Sequence, residues 1–488
     1  MIIETFAVFS MLIGGTSLVR MSGLRGWGLP ILGAVAGISL YITIGSLLAI
    51  SSLPSHPVVT MILTGLVPAA FWMRALIRGK DVRVNVVASL MIGVLLLGLI
   101  VLLRTVRLTK WSNDSLDYMY MGGLVAGGNF DLATSIVVPK RLVGLPVLHS
   151  AGSLSGEFFL AAITPLIAGM AVALIAWLGW RAISTHLGAS QTVVVIAAGL
   201  LLLVTMNRFL FHAFYLNSHL LVGMLLLAFV GCGWLLSLDT SLNKSTLFMV
   251  ATMTIAPIVF LRAEGSLMVG LAILPLIVDP NFSRRQKSIL MATLGCSIII
   301  WQGFVAAVYR AEGTAVPFSA IALLIVGIAV LGAIPVVRWK LFARRGSLLL
   351  NCAEGALWLA LVVLFVREPA VLIESLSATV QNVVRGEGSW GGSLVVILSV
   401  TTVAVALVVV PGQSRVRFAL TTFLPFVFLL PYFRGSSYRV GDGDSLNRMW
   451  FQIIPIAIFY LIVAVGIGTS RYGRGAKNRI PVTTTATT

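Results

Sequence analysis

Asp114 and Asp117 stand three residues apart and Asp114 and Tyr118 four apart, so a helix starting there sets two carboxylates and a phenol on one face. A carboxylate placed this way can take a proton from a hydroxyl; Asp114 could instead cap that helix. A second group is Arg262-Ala-Glu264-Gly265, in a turn between two apolar stretches. Its Arg and Glu either pair with each other, or Arg262 turns its planar donor fork to a phosphate. A third gathers Asn207-Arg208, His212, Asn217 and His219, and the seven-residue spacing of the histidines predicts a shared helical face. Near the C-terminus, Tyr438-Arg439-Val-Gly-Asp442-Gly-Asp444-Ser-Leu-Asn447-Arg448 offers Arg439 and Arg448 to an anionic ligand. Its Asp-x-Asp has the form that holds a metal in soluble nucleotide-sugar enzymes, with a plain turn as the alternative.

The elements that must carry these groups follow from composition. Of 488 residues 58% are hydrophobic and only 10% charged, less than half the charged share of a soluble globular protein. A soluble enzyme is excluded. A hydrocarbon core of roughly 30 Å takes about 20 apolar residues per helical crossing. Apolar runs of that size lie near 3–19, 28–50, 57–76, 84–103, 158–180, 191–206, 217–238, 246–261, 265–279, 288–309, 315–336, 348–366, 393–411, 416–432 and 450–468. The expectation is an all-α polytopic membrane protein of about fifteen transmembrane helices, with 246–279 open to a re-entrant reading. Cys232, Cys296 and Cys352 have no metal-ligand spacing and read as small core residues.

The 34 Lys and Arg exceed the 16 Asp and Glu, a formal charge of +18. In a membrane protein that excess marks orientation, because cytoplasmic loops collect Lys and Arg; nucleic acid is not expected as a partner. Alternating the connections from a cytoplasmic C-terminal tail puts Arg20 and Arg25, Arg74 to Arg83, Arg284 to Lys287, Arg338 to Arg345, and Arg415 and Arg417 inside, with only Asp81, Asp239, Asp279 and Glu354 among the acids. The N-terminus is then outside, in a plasma membrane. The long connections 104–157, 367–392 and 433–449, and with them Asp114, Arg262, Glu264, Arg439 and Arg448, also fall outside.

The order Asp114, Tyr118, Gly127-Gly128, Leu145-Pro146 and Leu160-Ala-Ala-Ile-Thr-Pro165 after an early membrane helix resembles the polytopic membrane glycosyltransferases of the GT-C superfamily. Arg262-Ala-Glu264-Gly265 looks like their Arg-x-Glu-Gly element, and Asn447-Arg448 before Ile453-Ile-Pro455 resembles their last outer segment. The likeness covers about 84–275 and again 440–460. It departs from the commonest arrangement in placing three helices before the acidic loop and in spacing the acids as Asp-x-x-Asp.

The resemblance implies transfer of a sugar from a polyprenyl-phosphate-linked donor to a lipid, glycan or protein acceptor on the outer face. Asp114 or Asp117 is then the catalytic base, Asp114 being favoured by its distance to Tyr118. Arg262, Glu264, Arg448 and Arg439 attend the donor phosphate, and Tyr118, His212, Asn217 and His219 line the pocket. A divalent cation stays open, on Asp114 or Asp117. It divides the chain into N-terminal extra helices (1–83), a GT-C-like core (84–280) with the acidic outer loop 104–157, C-terminal helices (281–470) and a basic tail (471–488). The rival readings are a transporter or lipid flippase, which calls for charges deep in interrupted helices, and a ligase or polymerase of lipid-linked glycans.

Overall fold

A computed structural model describes residues 2–51, 56–77, 98, 113–128, 130, 142–238, 243–337, 345–410, 412 and 414–477. Its secondary-structure elements are all helical among these residues. Among the described residues nine helices are long and apolar enough to cross a membrane, or eleven if each of two bent pairs counts once. This is fewer than the expected fifteen. The expected helix 84–103 and the basic groups from Arg78 to Arg83 and Arg338 to Arg344 lie outside the described residues. Three further expected crossings are helices of only 14 or 15 residues: Gly265–Val278, Phe318–Gly332 and Ser393–Leu407.

The chain starts with α1 (Ile2–Met21) and α2 (Gly28–Ile50), which pack face to face. Small residues let their backbones meet: a Cβ on Gly37 would collide with the Met11 carbonyl, the close approach that stands in for a hydrophobic drive between helices in lipid. Next come α3 (Pro57–Ile77), which contains a π-helical turn at Ile62–Leu66, α4 (Asn113–Ala126), α5 (Gly144–His149) and a 3-10 turn (Ser150–Ser155). They lead into α6 (Ile163–Ile183), which begins five residues later than the apolar run from 158 suggests.

Helix α7 (Ala189–Val204) bends by 77° into α8 (Asn207–Ala213). Helix α9 (His219–Ser237) is the centre of the molecule, with 94% of its most apolar window buried. Around it pack α6, α10 (Lys244–Leu261), α17 (Ser414–Arg434) and the last helix, α19 (Ile454–Lys477). Helices α11 (Gly265–Val278), α12 (Arg284–Ala311), α13 (Phe318–Gly332), α14 (Gly346–Arg367), α15 (Pro369–Val383) and α16 (Ser393–Leu407) come between, and α18 (Ser445–Gln452) bends by 42° into α19. Only 11% of the α14 window is buried, as befits a helix whose surface meets lipid.

Helix α15 falls in the connection 367–392, where the sequence suggested only a loop. Pro369 opens it at the first helical position, where a missing N–H costs nothing. Ser375, Ala378 and Asn382 face the protein, while Ile373, Leu376, Val380 and Val384 form an exposed apolar stripe.

The two ends of the bundle differ. One end holds Glu4, α4, α8, the turn Arg262–Glu264 and α18. At the other, Ser22 meets Thr246 at 2.6 Å and Asn243 at 2.5 Å, and Asp279 pairs with Arg415. These are the groupings that alternation of the connections predicted.

Candidate functional site

The site grows from four short stretches at one end of the bundle. On α4, Asp114, Asp117 and Tyr118 share the face expected of them. Asp114 sits inside the first turn, where its charge suits the helix dipole, and its Oδ2 accepts from Arg448 Nη1 at 2.5 Å. Ser115 donates to the Leu216 carbonyl at 3.0 Å, which fastens α4 to the chain leading into α9. Tyr118 is buried beside Arg262 and hydrogen-bonds with it.

The turn between α10 and α11 presents Arg262 and Glu264. Gly265 makes this turn possible, because a Cβ there would meet the Ile258 carbonyl. Arg262 Nε donates to Glu264 Oε1 at 2.8 Å, so the pairing foreseen as one alternative does occur. Glu264 is 8% exposed and Arg262 19%. Burial alone would raise the Glu264 carboxyl, but Arg262 and a hydrogen bond from Gln452 hold it below the ordinary value. Arg262 in turn is held above its ordinary value: burial opposes this, and Glu264 and Tyr118 outweigh it.

Helix α8 carries Arg208 and His212. Arg208 grips Asp442 twice, from Nη1 to the carboxylate and from Nη2 to the backbone carbonyl, both at 2.6 Å. His212 faces the Arg208 carbonyl with Nδ1 at 3.1 Å and lies against the Phe451 ring at 4.2 Å. The shared helix expected for His212 and His219 does not form. Helix α8 stops at Ala213, and α9 starts only at His219, whose N–H donates to the Asn217 side chain at 3.1 Å. An Asn side chain that takes a backbone N–H two residues on competes with helix formation. The two histidines meet the site through neighbouring residues of α18 instead, Phe451 for one and Gln452 for the other.

The last stretch is 436–452. Asp444 caps α18 by accepting from Asn447 N at 3.1 Å, and it also accepts from Arg439 N at 2.9 Å. Asp442 holds Arg208. The Asp-x-Asp thus builds a turn and an ion pair. Arg439 has an exposed side chain, and its carbonyl accepts from Asn382 of α15 at 2.9 Å. Asn447 accepts from Trp390 Nε1 and donates to the Gly388 carbonyl at 3.2 Å. Gln452 donates to Glu264 Oε1 at 3.0 Å and lies 3.3 Å from His219 Nδ1.

Asp114, Tyr118, Arg262, Glu264, Arg448, His212 and His219 are therefore linked through direct contacts and α18, whereas Arg439 joins through its backbone. Sequence reasoning missed Gln452, Asn382 and the Arg208–Asp442 pair. A lone amide within the apolar run 450–468 was the available signal for Gln452. Among the described residues no three His, Cys, Asp or Glu side chains are grouped to hold a metal. A cation on Asp114 or Asp117 would need ligand or water oxygens to complete its shell.

No family model, curated protein or solved structure matches this chain. The class that fold and site define is that of an all-helical protein with nine to eleven helices among the described residues that could span a membrane, and a polar, charge-paired site at one end of its bundle.

Proposed function

We propose that this protein is a membrane glycosyltransferase of the GT-C kind, moving a sugar from a polyprenyl-phosphate-linked donor to an acceptor hydroxyl at the outer face of the membrane. The observation that carries the reading is the convergence of Asp114, Arg448 and Arg262 from three distant stretches. In the proposed step the acceptor oxygen attacks the anomeric carbon and gives its proton to Asp114. The bond from that carbon to the phosphate oxygen breaks, and polyprenyl phosphate leaves. Arginines that hold the developing charge lower the barrier. Arg448 bonds Asp114 Oδ2 at 2.5 Å and so fixes where the carboxylate lies. Asp117 stands one turn further on, as its neighbour or a metal ligand.

A second feature supports a lipid-borne donor. A groove of about 340 Å³ between α1 and α3 is lined by Phe6, Phe9, Val58, Met61, Leu66 and Leu154. Leu154 belongs to the 3-10 turn on which α4 packs, so an apolar chain in the groove ends near the acidic helix. The π-helical turn of α3 also borders it, a distortion that recurs at functional sites. The two bent helix pairs are what a transporter would use; their short limbs, α8 and α18, carry Arg208, His212 and Arg448 to the same end of the bundle as Asp114.

The test is transfer of labelled sugar from a panel of polyprenyl phosphate sugars by purified protein in lipid. Wild type should transfer or hydrolyse and Asp114→Asn should not. Turnover retained by the variant removes Asp114 from the reaction. Movement of the lipid across the bilayer without turnover favours the transporter.

A further inference from the structure

Six buried groups in and beside the site are left without a hydrogen-bond partner among the described residues: the guanidinium Nε of Arg208 and of Arg448, Ser218 Oγ, and, grouped around α18, His212 Nε2, His219 Nε2 and Gln452 Oε1. The last three residues are 2%, 0% and 0% exposed, so bulk water does not reach them freely, and orphaned buried polar groups are costly. Hydrogen bonds on the other side of each residue decide what it offers.

Nδ1 of His212 faces a carbonyl, which only accepts. The ring proton therefore sits on Nδ1, and Nε2 presents a lone pair. For Gln452, the partner of one amide atom is the Glu264 carboxylate. That atom must be the NH2, since an oxygen there would meet an anion. The same NH2 faces His219 Nδ1, so Nδ1 accepts and the proton of His219 sits on Nε2. The Gln452 oxygen is then free to accept. Two histidines of one site thus hold opposite tautomers, and with Gln452 they offer two acceptors and one donor.

We infer that His212, His219 and Gln452 form a subsite for a neutral, hydroxyl-rich group, which in the reaction proposed above is the sugar ring and not the phosphate. A hydroxyl both donates and accepts, so adjacent hydroxyls can satisfy a mixed set. A phosphate oxygen only accepts; it would suit His219 and be repelled by the lone pairs of His212 and Gln452. Glu264 behind Gln452 is neutralised by Arg262 at 2.8 Å, so the lone pairs of His212 and Gln452 make the distinction. The inference rests on the glycosyltransferase reading and divides that site into a sugar part and, on the Arg448 side, a phosphate part.

The experiment compares binding of a polyprenyl phosphate with the same lipid carrying a hexose or pentose, using wild-type protein in nanodiscs and native mass spectrometry. Wild type should prefer a glycosylated lipid by about tenfold or more, the scale of leaving one buried group unpaired. His212→Phe and His219→Phe should lose that preference while keeping their affinity for the bare lipid phosphate. Spectra of 15N-histidine-labelled wild type supply a readout without substitutions: one Nδ1–H and one Nε2–H tautomer, both shifting with glycosylated lipid alone. Equal binding of both lipids by wild type, or matching tautomers, overturns the subsite and leaves the lipid-phosphate reading intact. Binding of neither lipid overturns that reading itself.

Discussion

Arg448 donates from Nη1 to Asp114 Oδ2 at 2.5 Å across 334 positions of sequence. Neither side chain is well solvated, at 14% and 24% exposure. The contact joins the first described helix of the acidic loop to the segment before the last membrane helix, so one bond closes the site from both ends of the chain.

The pair should be energetically coupled. A double-mutant cycle with Asp114→Asn and Arg448→Gln is expected to show about 1 kcal/mol of interaction in reversible unfolding. Additivity of the two substitutions would mean that the contact contributes nothing. In turnover the variants should not be equivalent: Asp114→Asn removes the proton acceptor, while Arg448→Gln leaves a base and loses charge stabilisation only.

Glu264 has a lowered folded value, so its contribution to stability is complete above the ordinary 4.5 and is lost as pH falls through the folded value. Glu264→Gln leaves the half-buried Arg262 without its counter-charge, at a cost of about 3 kcal/mol near neutrality. The gap between wild type and variant should close on acidification below pH 4.5. Thermal melts across that range read it directly, and parallel curves would show that Glu264 is not the linked group.

His149 makes the opposite end of α5 pH-sensitive. Its Nδ1 accepts from Leu160 N–H at 3.2 Å, and burial pushes the ring from 6.5 down to about 3. The unfolded chain therefore takes up a proton that the folded one refuses. Stability is whole above pH 6.5 and falls as pH drops toward 3, at up to about 1.4 kcal/mol per pH unit. His149→Gln should be less stable at pH 7 but should lose this slope between those limits.

The far end of the bundle offers a control. Arg415 and Asp279 pair there with 9% and 5% exposure. Asp279→Asn leaves the guanidinium buried without its counter-charge and should cost about 3 kcal/mol, seen as a lower melting temperature. At a temperature where the variant stays folded, sugar transfer should match wild type. A selective loss of turnover would tie the two ends of the molecule together.

The all-helical build of the described residues and most positions of their long apolar helices were legible in the sequence, because hydrocarbon demands a run of apolar residues wherever a backbone crosses. The face shared by Asp114, Asp117 and Tyr118 was legible too, since it depends only on helical repeat. The opposite ends taken by the Arg262 turn and by Arg415 followed from alternation of charge along the connections. Helix α15 was not legible as a helix within the connection 367–392, being amphipathic and flanked by charge. Nor was the break between His212 and His219, where one Asn side chain competes for a backbone N–H.

What only the tertiary structure decided is who pairs with whom. Spacing could bring Arg262 and Glu264 together because they are neighbours, but Arg448 could reach Asp114 only once α9 had gathered α6, α10 and α19 around it. The polarity of the histidines belongs to this level as well. A ring nitrogen becomes donor or acceptor through the group that faces it, here a carbonyl for His212 and an amide fixed by Glu264 for His219, and no residue spacing encodes that choice.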